Sequence, residues 1–343
     1  MITDPAEARF FRVWKRRLIS FSLYFLLWGV ITAGFPVIAL STLLPDLLLP
    51  HRASWARTRC VLFFLLYLNC EMLGLMGAFL SWVISGAFMG NDRERFIRQN
   101  AWLQGRWAHA LLHGSLKIFS MSIKAEDIAC AYPGPIILLI RHTSTADTVL
   151  ASVLIANTHN LLLRFVLKQE LLWDPCLDVV GNRLPNVFVD RSGQHTERQL
   201  SAIRELSTGM GKHDGVLIYP EGTRFDPRKL EKIRAKLSTT ESPEILSRIN
   251  AMQNVLPPRM GGFSAAIQGA PEADIVICTH TGFEGAANFN QFWRGDLVGK
   301  KIQVHFRRIA SGEIPEDHQK RKEWLLDRWL EVDRWIIAHT NLL

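Results

Sequence analysis

Two almost unbroken apolar runs, residues 18–49 and 61–89, constrain this chain before anything else does. Each exceeds the roughly 20 residues that a helix needs to cross the hydrocarbon core of a bilayer. Asp46 and Glu71 are the only charged residues in either run. The runs predict an amino-terminal hairpin of two membrane helices within residues 1–92 and a water-facing domain over 93–343. The first run is too long for the core of a cleavable leader. The basic segment before it, Arg9, Arg12, Lys15, Arg16 and Arg17, reads as the flank of a retained anchor. Gly29, Gly34 and Pro36 predict a kink, with 37–49, broken by Pro45 and Asp46, as an interfacial segment. Asn69 and Glu71 are costly at membrane depth, so they face protein or mark a shallow helix. Arg52, Arg57 and Arg59 lie between the runs, and Arg93, Arg95, Arg98 and Arg106 follow the second. This bias favours both ends, and the large domain, on the cytosolic side of a bacterial inner membrane or an endoplasmic-reticulum-type membrane. A hairpin sunk in one leaflet fits equally, and two buried helices of a soluble bundle are the alternative.

A formal net charge of +8 over 343 residues suits nucleic acid, an anionic lipid surface or a polyanionic small substrate. The hairpin favours the last two, and no nucleic-acid partner is expected. Cys60, Cys70, Cys130, Cys176 and Cys278 form no Cys-x-x-Cys pair and read as reduced packing residues. No histidine and cysteine cluster has zinc spacing, so no metal is expected.

Beyond the hairpin, residues 95–118 carry Phe96, Trp102, Trp107, Leu111 and Leu112 with arginines in an amphipathic helical pattern. Short apolar runs at 135–140, 163–167, 187–189, 216–219, 275–278 and 302–306 then alternate with helical patterns, and each reads as a strand. The continuous runs imply burial on both faces. Such alternation predicts an α/β fold, a largely parallel central sheet flanked by helices. Residues 323–341, with Trp324, Leu325, Trp329, Val332, Trp335 and Ile336, predict a closing helix packed on the domain.

Three strings begin where a strand ends: Arg141-His142, Asp190-Arg191 and Pro220-Glu221. Ligands of open α/β sheets sit beyond the carboxyl ends of the strands, so these strings should converge in one cleft. Only His142 among the eleven histidines has an aspartate five residues on, at Asp147. That spacing lets a carboxylate hold an imidazole in the tautomer a general base needs. The same string also fits Ser144 capping a helix with Asp147 at its third position. Glu221, Gly222, Thr223 and Arg224 combine a carboxylate, a turn, a hydroxyl and a guanidinium, which is equipment for gripping phosphate. The basic run Arg228, Lys229, Lys232, Arg234 and Lys236 reads as a solvated helix face, with a docking surface as the alternative.

The chain resembles the glycerolipid acyltransferase family, whose best-known members are the 1-acyl-glycerol-3-phosphate (lysophosphatidic acid) acyltransferases. His142 and Asp147 match its first block, His-x4-Asp. The run Val187-Phe188-Val189-Asp190-Arg191 matches the second, Glu221 to Arg224 match the third residue for residue, and Leu256-Pro257-Pro258-Arg259 resembles the fourth. Lys168 and Pro175 follow the family pattern upstream, and Arg141 departs from it, standing where many members have asparagine. The resemblance implies acyl transfer from acyl-CoA or acyl-carrier protein to a lysophospholipid hydroxyl, the thioester being a substrate and no cofactor being required. His142 is then the base and Asp147 its orienting carboxylate. Arg224, Arg191 and Lys168 are candidate phosphate ligands, and Arg259 is a weaker one for the donor's phosphates. Glu221 would fix Arg224 or accept from the glycerol part of the acceptor, with Gly222, Thr223 and Asp190 completing the binding set. The expected partners are a lysophospholipid, the acyl donor and the bilayer. Other acceptors within the same chemistry are glycerol-3-phosphate, lysocardiolipin and lysophosphatidylinositol. Outside it stand a serine hydrolase, which lacks a Gly-x-Ser-x-Gly elbow here, and a non-catalytic lipid-binding protein.

Overall fold

A computed structural model describes residues 5–48, 55–87, 92–190 and 196–340. Helices α1 (Pro5–Leu48) and α2 (Ala56–Trp82) form the hairpin, and α3 (Arg93–Ile118) leads into the sheet. The domain then follows as β1 (Ser122–Glu126), β2 (Ile136–Ile140), β3 (Leu162–Lys168), α4 (Pro175–Gly181), β4 (Val187–Val189), α5 (Thr196–Ser207) and β5 (Asp214–Ile218). It continues with α6 (Pro227–Leu237), α7 (Pro243–Ala251), α8 (Met260–Gly269), β6 (Asp274–Thr281), α9 (Phe289–Arg294), β7 (Lys301–Ile309) and α10 (His318–Thr340). Several helices start on the signals their sequence carries. Asp174, Asp226 and Ser242 each accept a backbone N–H of the first turn, with proline as the next residue. Such a cap satisfies one orphan donor, and the proline has no N–H to strand.

The seven strands run in the order β1-β7-β6-β2-β5-β3-β4. From β6 to β4 all neighbours are parallel, while β7 is antiparallel to β6 and carries β1 parallel to itself. Every residue of β2 is fully buried. Ile137 and Leu139 join a core with α5, α7, α8 and α10, whereas Ile136, Leu138 and Ile140 join a second core with α3 and the helical segment after His142. A central strand with helices on both faces has no polar side, and its uniform apolar run is the sequence form of that position. All six expected strands are present, and β1 is an additional one. Its Ser-Ile-Lys-Ala-Glu sequence sits at the sheet edge with alternate residues exposed. The closing helix packs as expected, with Trp329 fully buried.

The hairpin departs from expectation at two points. Helix α1 continues through Pro36 and Pro45 to Leu48, so no separate interfacial segment starts at residue 37. Apolar side chains are exposed around it, among them Leu26, Val30, Val37 and Leu40. Backbone groups in such a sleeve have no partner except their own ladder, which keeps the helix running. The basic flank also turns inward. Arg16 Nη2 and Arg17 Nε lie 2.8 and 3.0 Å from the two carboxylate oxygens of Asp178 on α4, a side chain with no solvent exposure. Arg52 lies outside the described residues.

Helix α2 has one face on the domain, and its polar residues meet protein partners, Glu71 and Tyr67 on the domain and Asn69 on α1. Glu71 accepts from Trp107 Nε1 at 3.0 Å and from the Cys176 N–H at 3.2 Å. Asn69 accepts from Trp28 Nε1 at 3.2 Å, and the Tyr67 hydroxyl donates to Asp174 at 2.6 Å. Phe63 packs on Phe119 and Phe292 of the domain. The boundary expected at residue 92 falls beside a connection outside the described residues, and α2 packs on α3 across it.

Candidate active site

Strand β2 ends at Ile140, and the chain then makes a tight buried loop, Arg141 to Ser144, before a short helical turn, Ala146–Val149. Asp147 organises this loop. Its Oδ2 accepts the N–H groups of Thr143 and Ser144 at 2.7 and 2.8 Å, and its Oδ1 accepts from His142 Nδ1 at 2.9 Å. The carboxylate therefore both shapes the loop and orients the ring, while the cap position of the turn falls to Thr145 and not to Ser144. With the proton held on Nδ1, the lone pair of His142 lies on Nε2, which has no protein partner among the described residues. Ser144 Oγ accepts the Ala146 N–H at 3.1 Å, which makes it a loop brace rather than a nucleophile paired with the ring.

A second motif locks onto the first through the backbone. The Phe225 N–H donates to the His142 carbonyl at 2.8 Å, which holds the turn after β5 against the loop after β2. Glu221 lies inside this junction, fully buried. Its carboxylate accepts the His142 N–H at 3.1 Å and the Leu256 N–H at 3.0 Å, tying the first, third and fourth motifs together. Burial pushes this carboxyl up to about 8, against the lowering pull of the Leu256 N–H and the Arg141 guanidinium. Glu221 makes no bond to Arg224, and its oxygens are spent on backbone groups.

Gly222 turns at φ 71°, the left-handed region that glycine enters without strain. A Cβ there would stand 3.1 Å from Arg259 Cδ and Nε, so the glycine makes room for the Arg259 side chain. Arg224 and Arg259 are exposed and Lys168 is half-buried at the end of β3. None of the three side chains has a protein partner among the described residues. Thr223 receives a hydrogen bond from Lys229 Nζ at 3.0 Å. Asp190 closes β4, with its carbonyl accepting from Gln199 Nε2. Arg191 lies outside the described residues. Strands in a sheet are spaced about 4.8 Å apart, and β2, β5, β3 and β4 are consecutive neighbours. The structure thus brings His142, Asp147, Arg224, Lys168 and Asp190 to the carboxyl ends of adjacent strands.

Three contributors are invisible in the motifs themselves. The Tyr219 ring packs on His142 with centroids 4.5 Å apart. Arg141 is buried, with Nη1 donating to Glu284 Oε1 at 2.7 Å and to the His280 carbonyl at 2.8 Å, and Nη2 donating to the Asn254 carbonyl at 3.1 Å. His280 is buried under the loop, 2.9 Å from the Arg141 carbonyl. Burial lowers its pKa, so the neutral ring donates from Nε2. The departure at position 141 is therefore a structural brace, although a lone arginine in sequence carries no sign of its partners in residues 254–284.

The open α/β sheet thus carries an oriented imidazole at the end of its central strand and, at the ends of the next strands, cations without a protein partner among the described residues. Residues 122–281 match the Acyltransferase family model. That match and the two likenesses that follow support a glycerolipid acyltransferase-like domain. The chain is 25% identical over 212 residues to 1-acyl-sn-glycerol-3-phosphate acyltransferase epsilon from Mus musculus, a match covering 59% of this chain and 57% of that relative. The crystal structure of the 1-acyl-sn-glycerophosphate (LPA) acyltransferase PlsC from Thermotoga maritima shares the fold. Its TM-score is 0.50 at 15% identity, over 80% of this chain and 96% of that one.

Proposed function

We propose that the protein is an O-acyltransferase that transfers a fatty acyl group from acyl-CoA or acyl-carrier protein to the free hydroxyl of 1-acyl-glycerol-3-phosphate, giving phosphatidic acid. The observation that carries this reading is the 2.9 Å pairing of His142 Nδ1 with Asp147 beside an Nε2 without a protein partner among the described residues. Nε2 takes the proton of the acceptor hydroxyl as its oxygen adds to the thioester carbonyl. Asp147 stabilises the imidazolium that forms. The tetrahedral adduct collapses with cleavage of the C–S bond, and the imidazolium returns its proton to the departing thiolate. No acyl-enzyme is required, in keeping with the use of Ser144 Oγ inside its own loop. Arg224 and Lys168 hold the acceptor's phosphate, since guanidinium and ammonium groups suit an oxyanion. The apolar exterior of α1 favours a bilayer-seated enzyme that meets its lipid at the membrane surface, with the domain on the cytosolic side.

The test offers purified protein a labelled acyl-CoA with lysophosphatidic acid, glycerol-3-phosphate, lysocardiolipin and lysophosphatidylinositol as acceptors. Lysophosphatidic acid should be acylated fastest. His142→Ala should lose roughly three or more orders of magnitude in turnover with membrane binding unchanged. Folded wild-type protein that acylates none of the four would overturn the proposal.

A further inference from the structure

We propose that the cleft on the β6 side of His142 binds the phosphopantetheine arm of the acyl donor, so that donor and acceptor approach the histidine from opposite sides of β2. This inference rests on the acyltransferase reading and goes beyond it by assigning the donor a place. The candidate acceptor ligands all lie to one side, on the turn after β5 and at the ends of β3 and β4. On the other side, beyond the end of β6, opens a cleft of about 1010 Å³. That volume is at the upper end of ordinary small-molecule sites.

The cleft abuts the loop that carries His142. Its inner wall includes Arg141, whose backbone leads into His142, and Phe225, whose N–H is bonded to the His142 carbonyl. Asn254, Thr281, Gln291 and Thr340 line it with amide and hydroxyl groups. Phe225, Val298 and Ile336 line it as well, and such a mixed wall suits a pantetheine chain, in which amides and a hydroxyl alternate with methylenes. At the outer end stand Arg294, in the last turn of α9, and Lys300, both exposed. Neither side chain has a protein partner among the described residues. Two carboxylates also line the cleft. Glu284 is paired with Arg141 at 2.7 Å, which leaves Asp296 against the two outer cations. The lining thus keeps a net positive charge to meet the phosphate at the end of a pantetheine arm.

Coenzyme A and acyl-carrier protein share this arm, and kinetics with each donor separates the two sources. The variant Arg294→Glu with Lys300→Glu changes exposed side chains and should keep its fold by circular dichroism. Its KM for whichever donor the wild type uses, acyl-CoA or acyl-carrier protein, should rise roughly tenfold or more. Its KM for lysophosphatidic acid should stay within about twofold, as should the rate with an acyl N-acetylcysteamine thioester, which lacks the phosphate. Lys232→Glu with Lys236→Glu, charge reversals outside the cleft on α6, should leave donor KM in place. An unchanged donor KM in the cleft variant, or a rise in acceptor KM instead, overturns the assignment, and so does an equal effect from the α6 pair. Should the wild type transfer no acyl group at all, titration calorimetry with desulfo-coenzyme A and with 4′-phosphopantetheine still decides. Binding that the cleft variant weakens about tenfold supports the site, and absence of binding to the wild type removes it.

Discussion

At the residue scale, Asp147 and Glu221 are two buried carboxylates with different work, and each makes a distinct prediction. Asp147 Oδ2 receives two backbone N–H groups, so an asparagine there must keep its oxygen on that side and turn its amide toward His142. The ring nitrogen facing it must then accept, which moves the ring proton to Nε2, where the acceptor hydroxyl should bind. Asp147→Asn is expected to cost roughly 10²–10⁴-fold in kcat with little change in acceptor KM; a variant with near-normal kcat would remove the orienting role. Glu221 titrates with stability. Its folded pKa of about 8 stands above an ordinary 4.5. Its contribution is fully present below the unfolded value and is lost as pH rises through the folded one. The unfolding free energy of the wild type should therefore fall between about pH 5 and about pH 8.5, while Glu221→Gln should be flatter. The variant should also be less stable at low pH by roughly 1–3 kcal/mol, because its amide faces a backbone N–H. Denaturant titrations across that range check both points, and identical slopes would dismiss the assignment. The pairing of His142 with Asp147 was legible from spacing alone, as was the place of Arg224 on the turn after β5. The role of Glu221 was not, because it depends on Leu256, which only the fold brings alongside.

At the element scale, legibility followed burial. Strands β2, β5 and β6 lie inside the sheet and read as continuous apolar runs, whereas β1 pairs only with β7 at the edge and its alternating polar residues concealed it. The helical segment after His142 was legible only as the capping reading of the string, because Thr143 to Asp147 spend polar groups on loop bonds and helix begins as an irregular turn. The contact of α1 with α4 was equally hidden, since a basic run before an apolar one normally signals an anchor flank. Here Arg16 and Arg17 meet Asp178 instead. Both arginines retain some solvent exposure while the aspartate has none. Removing the arginines leaves a buried carboxylate with only Asn182 Nδ2 as a side-chain donor, a loss expected to cost roughly 3–5 kcal/mol. Asp178→Asn lets the arginines turn to water and should cost less, about 1–2 kcal/mol. Thermal unfolding in detergent should rank Arg16→Ala with Arg17→Ala below Asp178→Asn, and early proteolysis should fall within α1. The opposite ranking would mean that the contact does not hold the helix.

At the scale of the whole molecule, the hairpin is both a pair of candidate membrane spans and part of the domain's packing. Helix α1 has 44 residues, a length of about 66 Å at the rise of an α-helix. That is about twice the hydrocarbon thickness of a bilayer. Its first turns are fixed to α4, so the apolar length beyond Arg17 is what remains for lipid. Helix α2 instead divides its surface between the domain and the outside, with Cys60 and Glu71 buried and Leu73, Met76 and Phe79 exposed. A monomeric water-soluble protein rarely presents so large a continuous apolar surface. On the proposed function, the arrangement would seat a sheet-end site at the lipid surface, where an amphipathic acceptor is concentrated. Replacing Leu26, Val30 and Val37 of α1 by lysine tests that arrangement without touching the site. Each lysine at membrane depth costs roughly 2.5–3.5 kcal/mol, so the triple variant should leave the membrane fraction in flotation assays. Turnover should fall steeply on acceptor embedded in vesicles but remain near normal on acceptor dispersed in detergent, because the catalytic loop is unchanged. Equal loss in both assays would show that α1 supports the fold rather than access to lipid, and undiminished flotation would show that α1 is not the segment that enters the bilayer.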